Sequence, residues 1–214
     1  MNCGEATIRL LARYGVDTVF GIPGVHTLDF SRGLHDGDHG LRDGGLGDGG
    51  VRHIQARNEL GAGFMADGYA RVTGKPGVAL VISGPGVTNA ATAIAQAHAD
   101  SSPVLLLSAE PPSYTLGKGW GVLHEITEQK KVTEPITSYS ATAYKPEDVP
   151  ELIARAFSTF ATERPRPVHI AVPTDVQAMP VNQNWEAVIL VTRSRHDPAS
   201  IEAAADLLRA ASRP

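Results

Sequence analysis

The sequence predicts an α/β fold, a doubly wound parallel sheet flanked by helices on both faces. Three observations carry this. Short apolar runs rich in β-branched residues alternate with amphipathic or small-residue stretches along most of the chain. One run, Val78-Ala79-Leu80-Val81-Ile82, is apolar throughout, as expected of a strand buried on both faces. Glycine- and proline-rich turns, Gly21-Ile22-Pro23-Gly24 and Gly84-Pro85-Gly86, follow strand runs, and the carboxyl ends of strands are where parallel sheets collect ligands.

In chain order, residues 4–14 place Ile8, Leu11 and either Ala12 or Leu10 on one helical face, and Gly15 ends the helix. Asp17 to Phe20 reads as a strand, closed by the Gly21–Gly24 turn, and His26 after it, taken alone, reads as a first-turn surface histidine. Residues 33–50 are glycine- and aspartate-rich with almost no core-forming content, so they read as an inserted flexible surface loop. Their aspartates and histidines lack recognisable ligand spacing, which argues against a metal site. Val51–Ile54 is the next strand, and a helix follows from Glu59 to about Thr73. Small residues at Gly61, Ala62, Gly63, Ala66 and Ala70 let that helix pack closely on neighbouring backbone.

After Val78–Ile82 and its turn, Thr88-Asn89 opens a small-residue helix running to about Ala99. Pro103 to Ser108 is another buried strand, and the glycine-rich stretch Tyr114–Glu125 is loop-like and ends at a short helix. Ile136–Tyr144 reads as a strand. Pro146–Thr162 is an amphipathic helix with Val149, Leu152, Ile153, Ala156, Phe157 and Phe160 inward, and Pro167–Pro173 is the last strand. The expected divisions are a domain over residues 1–178, a linker over 179–197, and in 198–214 the opening of a further domain, beginning with an amphipathic helix.

Bulk properties narrow the function. The 214 residues suit one good-sized domain, and the net charge of −4 gives no reason to expect nucleic acid. A single cysteine, Cys3, excludes an internal disulfide and suits a reducing cytoplasm. No apolar run reaches membrane-spanning length, so no membrane association is expected. No Gly-x-Gly-x-x-Gly opens a helix after the first strand, which weakens a nucleotide-binding reading. Among chemistry-bearing residues, Glu59 sits where a helix dipole favours a carboxylate, and taken alone it reads equally as a simple first-turn charge. Gly84 and Gly86 allow backbone to approach a planar ligand, and Asn89 reads as a cap, a loop brace or a ligand contact.

Three pieces taken together, Thr18–Gly24, Arg57–Arg71 and Val78–Asn89, resemble the pyrimidine-binding domain of thiamine diphosphate enzymes of the acetolactate synthase and 2-oxoacid decarboxylase superfamily. The likeness covers roughly residues 4–180 and rests on several motifs falling in one order. It implies that Glu59 is the catalytic carboxylate that bonds the cofactor's pyrimidine nitrogen. The family's usual His-Glu-Gln stands here as Asn58-Glu59-Leu60. The likeness also makes Ile22, Pro23, Gly24, Gly84, Pro85 and Asn89 cofactor-binding candidates. His124 becomes the candidate that orients a 2-oxoacid substrate or relays a proton, with a surface-loop role as the alternative. Leu123 and His124 stand where acetolactate synthases carry phenylalanine and glutamine, and the Leu-His-Glu version is more similar to guanidino-oxopentanoate decarboxylases.

The family holds the diphosphate and Mg²⁺ with a separate domain carrying Gly-Asp-Gly and a following asparagine pair. The candidates here, Asp36-Gly37-Asp38 and Gly47-Asp48-Gly49, lack the preceding apolar strand and the asparagines. The resemblance therefore implies thiamine diphosphate as cofactor, with Mg²⁺ bound elsewhere, and as partner a homodimer mate or a chain bearing the diphosphate domain. On this reading the chain is the first third of a longer enzyme, a shortened product or one subunit of a split enzyme, without turnover alone. The competing expectation is a catalytically silent remnant that persists as a soluble binding or interaction domain.

Overall fold

The computed structural model describes residues 1–36, 50–189 and 195–213. Helix α1 spans Cys3–Arg13, and Asn2 caps it: its side chain accepts from Glu5 N while Glu5 returns a bond to Asn2 N. Strand β1 (Thr18–Gly21) and helix α2 (Leu28–Asp36) follow, with one 3₁₀ turn at Val25–Thr27 between them. Gly33 and Leu34 are buried within α2, so the expected loop does not include 33–36; its remainder, 37–49, lies outside the described residues. Next come β2 (Arg52–Gln55), α3 (Glu59–Thr73), β3 (Gly77–Val81), α4 (Pro85–Ala99) and β4 (Val104–Glu110). Then follow α5 (Gln129–Thr133), β5 (Tyr139–Thr142), α6 (Asp148–Thr162), β6 (Val168–Pro173), α7 (Thr174–Ala178) and α8 (Pro198–Ala210).

The six strands form one sheet in the order β2-β1-β3-β4-β6-β5, and every pairing is parallel. Because side chains alternate across a strand, the apolar strands feed two cores. Val78, Leu80, Leu105 and Leu107 face a cluster with α1, α2 and α6. Ala79, Val81, Val104 and Leu106 face a second cluster with α3 and α4. The expected doubly wound α/β architecture is therefore the one observed. In the second core α3 and α4 pack at close range: a Cβ added to Gly63 would lie 2.6 Å from that of Ala93.

Two expected strands shift their bounds by more than one residue. Glu134–Ile136 forms a 3₁₀ turn, so the fifth strand starts only at Tyr139. The fourth continues past Ser108 to Glu110, carrying a carboxylate to the end of the sheet. Beyond α7, residues 179–189 lie against α1. Cys3 N donates to Met179 O and Val181 N to Met1 O, and Val181 and Trp185 are buried in the first core. Helix α8 buries none of its residues. Among the described residues no helix is long and apolar enough to cross a membrane.

Candidate active site

The carboxyl ends of β2, β1 and β3 lie side by side, and each leads through a short loop into a helix. This arrangement collects residues distant in sequence at one edge. After β2, Asn58 caps α3 by accepting from Leu60 N at 2.9 Å, a role that any of several polar residues fills. Glu59 is the first helical residue and is half-buried. One of its oxygens accepts from Asn89 Nδ2 at 2.9 Å, and the other takes no hydrogen bond from the described residues. The helix N-terminus favours its negative charge, and Asn89 fixes where that charge points.

Asn89 does not open its helix. Helix α4 begins at Pro85, which sits at the position that needs no N–H donor, so Asn89 falls in the second turn and braces Glu59 rather than capping. Gly84 precedes it at φ +54°, a conformation suited to glycine, and its N–H donates to Gln129 Oε1 at 2.7 Å. The His124 backbone lies directly over Gly84: an added Cβ would clash with the His124 carbonyl oxygen.

His124, itself at φ +60°, packs edge-on against His26 with ring centroids 5.4 Å apart. His26 Nδ1 pairs with the buried Ser83 hydroxyl at 2.6 Å. Burial lowers the His26 pKa, and the neighbouring His124 lowers it further, so His26 is neutral near pH 7. The Nδ1 of His124 is buried without a hydrogen-bond partner, an atom that a ligand group is suited to satisfy. Glu125 holds the His124 loop from below, its carboxylate accepting from Gly119 N, Gly121 N and Val122 N. The loop walls an open cavity of about 560 Å³, with Lys118, Val122 and His124 in its lining.

The remaining expected residues are placed as follows. Ile22 is half-buried against the second core, Pro23 is exposed, and the Gly24 N–H is taken by Thr27 Oγ1 at 3.1 Å. Pro85 is an exposed first-turn residue. The structure thus brings together Glu59 with Asn89, and Gly84 with His124; no hydrogen bond joins these two pairs among the described residues. Sequence reasoning missed Ser83 and Gln129. Gln129 is buried and bridges Gly84 N to Ser108 Oγ and Ala109 O, and Ser108 continues to the buried His169. Ser83 lay beside the Gly84-Pro85-Gly86 motif and was findable; Gln129, in a Glu-Gln-Lys-Lys run, carried no local signal.

Comparison with known proteins identifies the family. The family described as thiamine pyrophosphate enzyme, N-terminal TPP binding domain, matches residues 1–132. The chain is 56% identical to a probable 2-ketoarginine decarboxylase of Pseudomonas aeruginosa, covering 100% of this chain and 36% of that protein. It is 40% identical to a probable acetolactate synthase large subunit of Methanocaldococcus jannaschii, over 83% of this chain and 27% of the relative. An acetolactate synthase large subunit of Haemophilus influenzae is 37% identical over 87% of this chain and 29% of its own length. The chain therefore spans about a third of the length of these relatives. With the match extending over more than half of its residues, this chain belongs to the thiamine pyrophosphate enzymes, as their N-terminal TPP-binding domain.

Proposed function

We propose that this chain supplies the pyrimidine-binding side of a thiamine diphosphate site in an enzyme that decarboxylates a 2-oxoacid with a guanidinium-bearing side chain. The observation that carries the reading is the Glu59 carboxylate, held on one oxygen by Asn89 and open on the other, beside the Gly84 turn. An aminopyrimidine offers ring nitrogens and an exocyclic amine, and Glu59 and the unpaired His124 Nδ1 are complementary to such groups. The name of the 56%-identical relative favours the guanidinium-bearing acid over the acetolactate synthase substrates.

When bound, thiamine diphosphate supplies the electron sink for cleaving the bond beside a 2-oxo group. The residues of this chain orient and move protons. Glu59 holds the proton shared with the pyrimidine ring nitrogen, and Asn89 keeps the carboxylate in one rotamer. His124, over Gly84, and the neutral His26 packed against its ring are suited to hold a substrate carboxylate or pass on a proton. The diphosphate and its Mg²⁺ are assigned to another domain, outside the residues of this chain.

The test is titration calorimetry of thiamine diphosphate with Mg²⁺ into the chain, alone and with a diphosphate-domain partner, for wild type and Glu59→Ala. A hydrogen bond to a charged group contributes about 1.5–3 kcal/mol, so the variant should bind roughly tenfold to a hundredfold more weakly. Equal binding by wild type and variant would refute the role of Glu59. Absence of binding under every condition would leave a domain that has lost its chemistry.

A further inference from the structure

Beside the site, at the carboxyl end of β4, a second cavity of about 220 Å³ lies under the Gly117–Thr127 loop. It is far larger than the ~10–15 Å³ a single water requires. It shares Gly117, Glu125, Ile126 and Thr127 with the cavity that His124 lines. Gln129 ties the two places together, because it lines this cavity while bonding both Gly84 N and the Ala109 carbonyl, next to Glu110.

Three carboxylates line the cavity, and two are already committed. Glu125 accepts the backbone N–H groups of its own loop, and Glu128 pairs with Lys131 at 2.5 Å. Glu110 differs. It is 6% exposed, its Oε2 accepts from Thr142 Oγ1 at 2.9 Å, and its other oxygen has no hydrogen-bond partner among the described residues. That oxygen is not sealed from solvent, so a cation entering the cavity can reach a carboxylate whose surroundings are otherwise poor in water. Burial raises the Glu110 pKa, and an entering cation would reverse it. Tyr144 also lines the cavity, and its ring is a surface on which a planar cation stacks. The one cation in the lining, Lys130, is exposed, and its charge offsets only part of the burial that raises the Glu110 pKa.

We propose that Glu110, with Thr142 and Tyr144, forms the pocket that receives the guanidinium end of the substrate. This rests on the substrate class proposed above, and it assigns that class's distinguishing group to particular residues. A guanidinium presents a planar fork of N–H donors matched to a carboxylate, whereas a neutral urea group of the same shape brings no charge.

The experiment titrates 5-guanidinopentanoate and its neutral counterpart 5-ureidopentanoate into the chain, followed by two-dimensional NMR, which reads millimolar affinities. The guanidino acid should shift resonances of Glu110, Thr142 and Tyr144, and should bind about tenfold more tightly than the ureido acid. Glu110→Gln, close in shape and still able to accept from Thr142, should abolish that preference. Equal binding of the two acids to wild type, or no binding of the guanidino acid, would overturn the proposal without reference to any variant. Thiamine titrated into the same Glu110→Gln sample should bind as to wild type. Failure of wild type to bind thiamine, with its guanidino preference intact, would sink the cofactor reading alone.

Discussion

His169 is completely buried in β6, and every polar atom of its ring is engaged. Gln129 Nε2 donates to Ser108 Oγ, so the Ser108 hydroxyl proton is free to donate to His169 Nε2 at 2.8 Å. Thr133 donates to the Lys130 carbonyl, leaving its oxygen to accept from His169 Nδ1–H at 2.6 Å. This network fits a neutral imidazole and has no place for a second proton, and desolvation lowers the His169 pKa from 6.5 to about 3. The folded pKa lies below the unfolded one, so the unfolded chain binds the extra proton between these values. The contribution to stability is present above pH 6.5 and is lost as pH falls toward 3. At about 1.4 kcal/mol per pH unit, roughly 2 kcal/mol disappears between pH 7 and pH 5, and about 5 kcal/mol in the limit. The assay is urea unfolding at both pH values for wild type and His169→Gln. With a slope of roughly 2 kcal/mol per molar, the wild-type midpoint should fall by about 1 M more than that of the variant. Comparing the two pH differences cancels other groups, including His26, His53 and His98, whose pKa values are also lowered by burial. Equal pH losses in the two proteins, or an NMR titration of His169 near pH 6, would refute the reasoning.

Three other substitutions test the packing, two of them near the site. Gly84→Ala should destabilise by about 3 kcal/mol, combining a positive φ with overpacking, since the new Cβ would lie 3.1 Å from the His124 carbonyl carbon as well as clashing with its oxygen. Gly61→Ala, on an exposed helical position with open space around it, should instead stabilise by roughly 0.5–1 kcal/mol; thermal unfolding that shows the same sign for both would contradict the geometry. Trp185→Ala should cost about 3–5 kcal/mol, because Trp185 is 7% exposed against the first core. Calorimetry should show Tm lower by about 6–20 °C, and a loss below 1 kcal/mol would mean residues 179–189 do not dock as described.

Most of the fold was legible because parallel strands announce themselves. The runs at Val78, Val104 and Val168 are buried on both faces, and no compensating polar pattern obscures them. The misplaced boundaries have local causes. Ile136 looked like strand because it is β-branched, yet it follows Pro135 in a tight turn and reaches the core from there. Pro85 was taken to close a loop although the first turn of a helix is where proline is tolerated best. Val181 and Trp185 stand alone among polar residues, so periodicity had nothing to detect. In the site, Glu59 and Gly84 were legible from their motifs. The Asn89 brace, the His26–His124 contact and the Gln129 bridge each join residues at least 20 positions apart, and only the sheet order brings such residues together.

The backbone bonds from Cys3 to Met179 and from Val181 to Met1 also bear on how the chain matures during synthesis. Strands β2, β1, β3 and β4 are contiguous in the sheet and can assemble as soon as residue 110 is available. Until β6 arrives, however, β4 presents a bare hydrophobic edge, and until residues 179–185 arrive, one side of α1 has no cover. Residues at the start of the domain thus wait for residues about 180 positions later before the domain closes. The interval between them is when a nascent chain of this kind is most open to chaperones and to its neighbours.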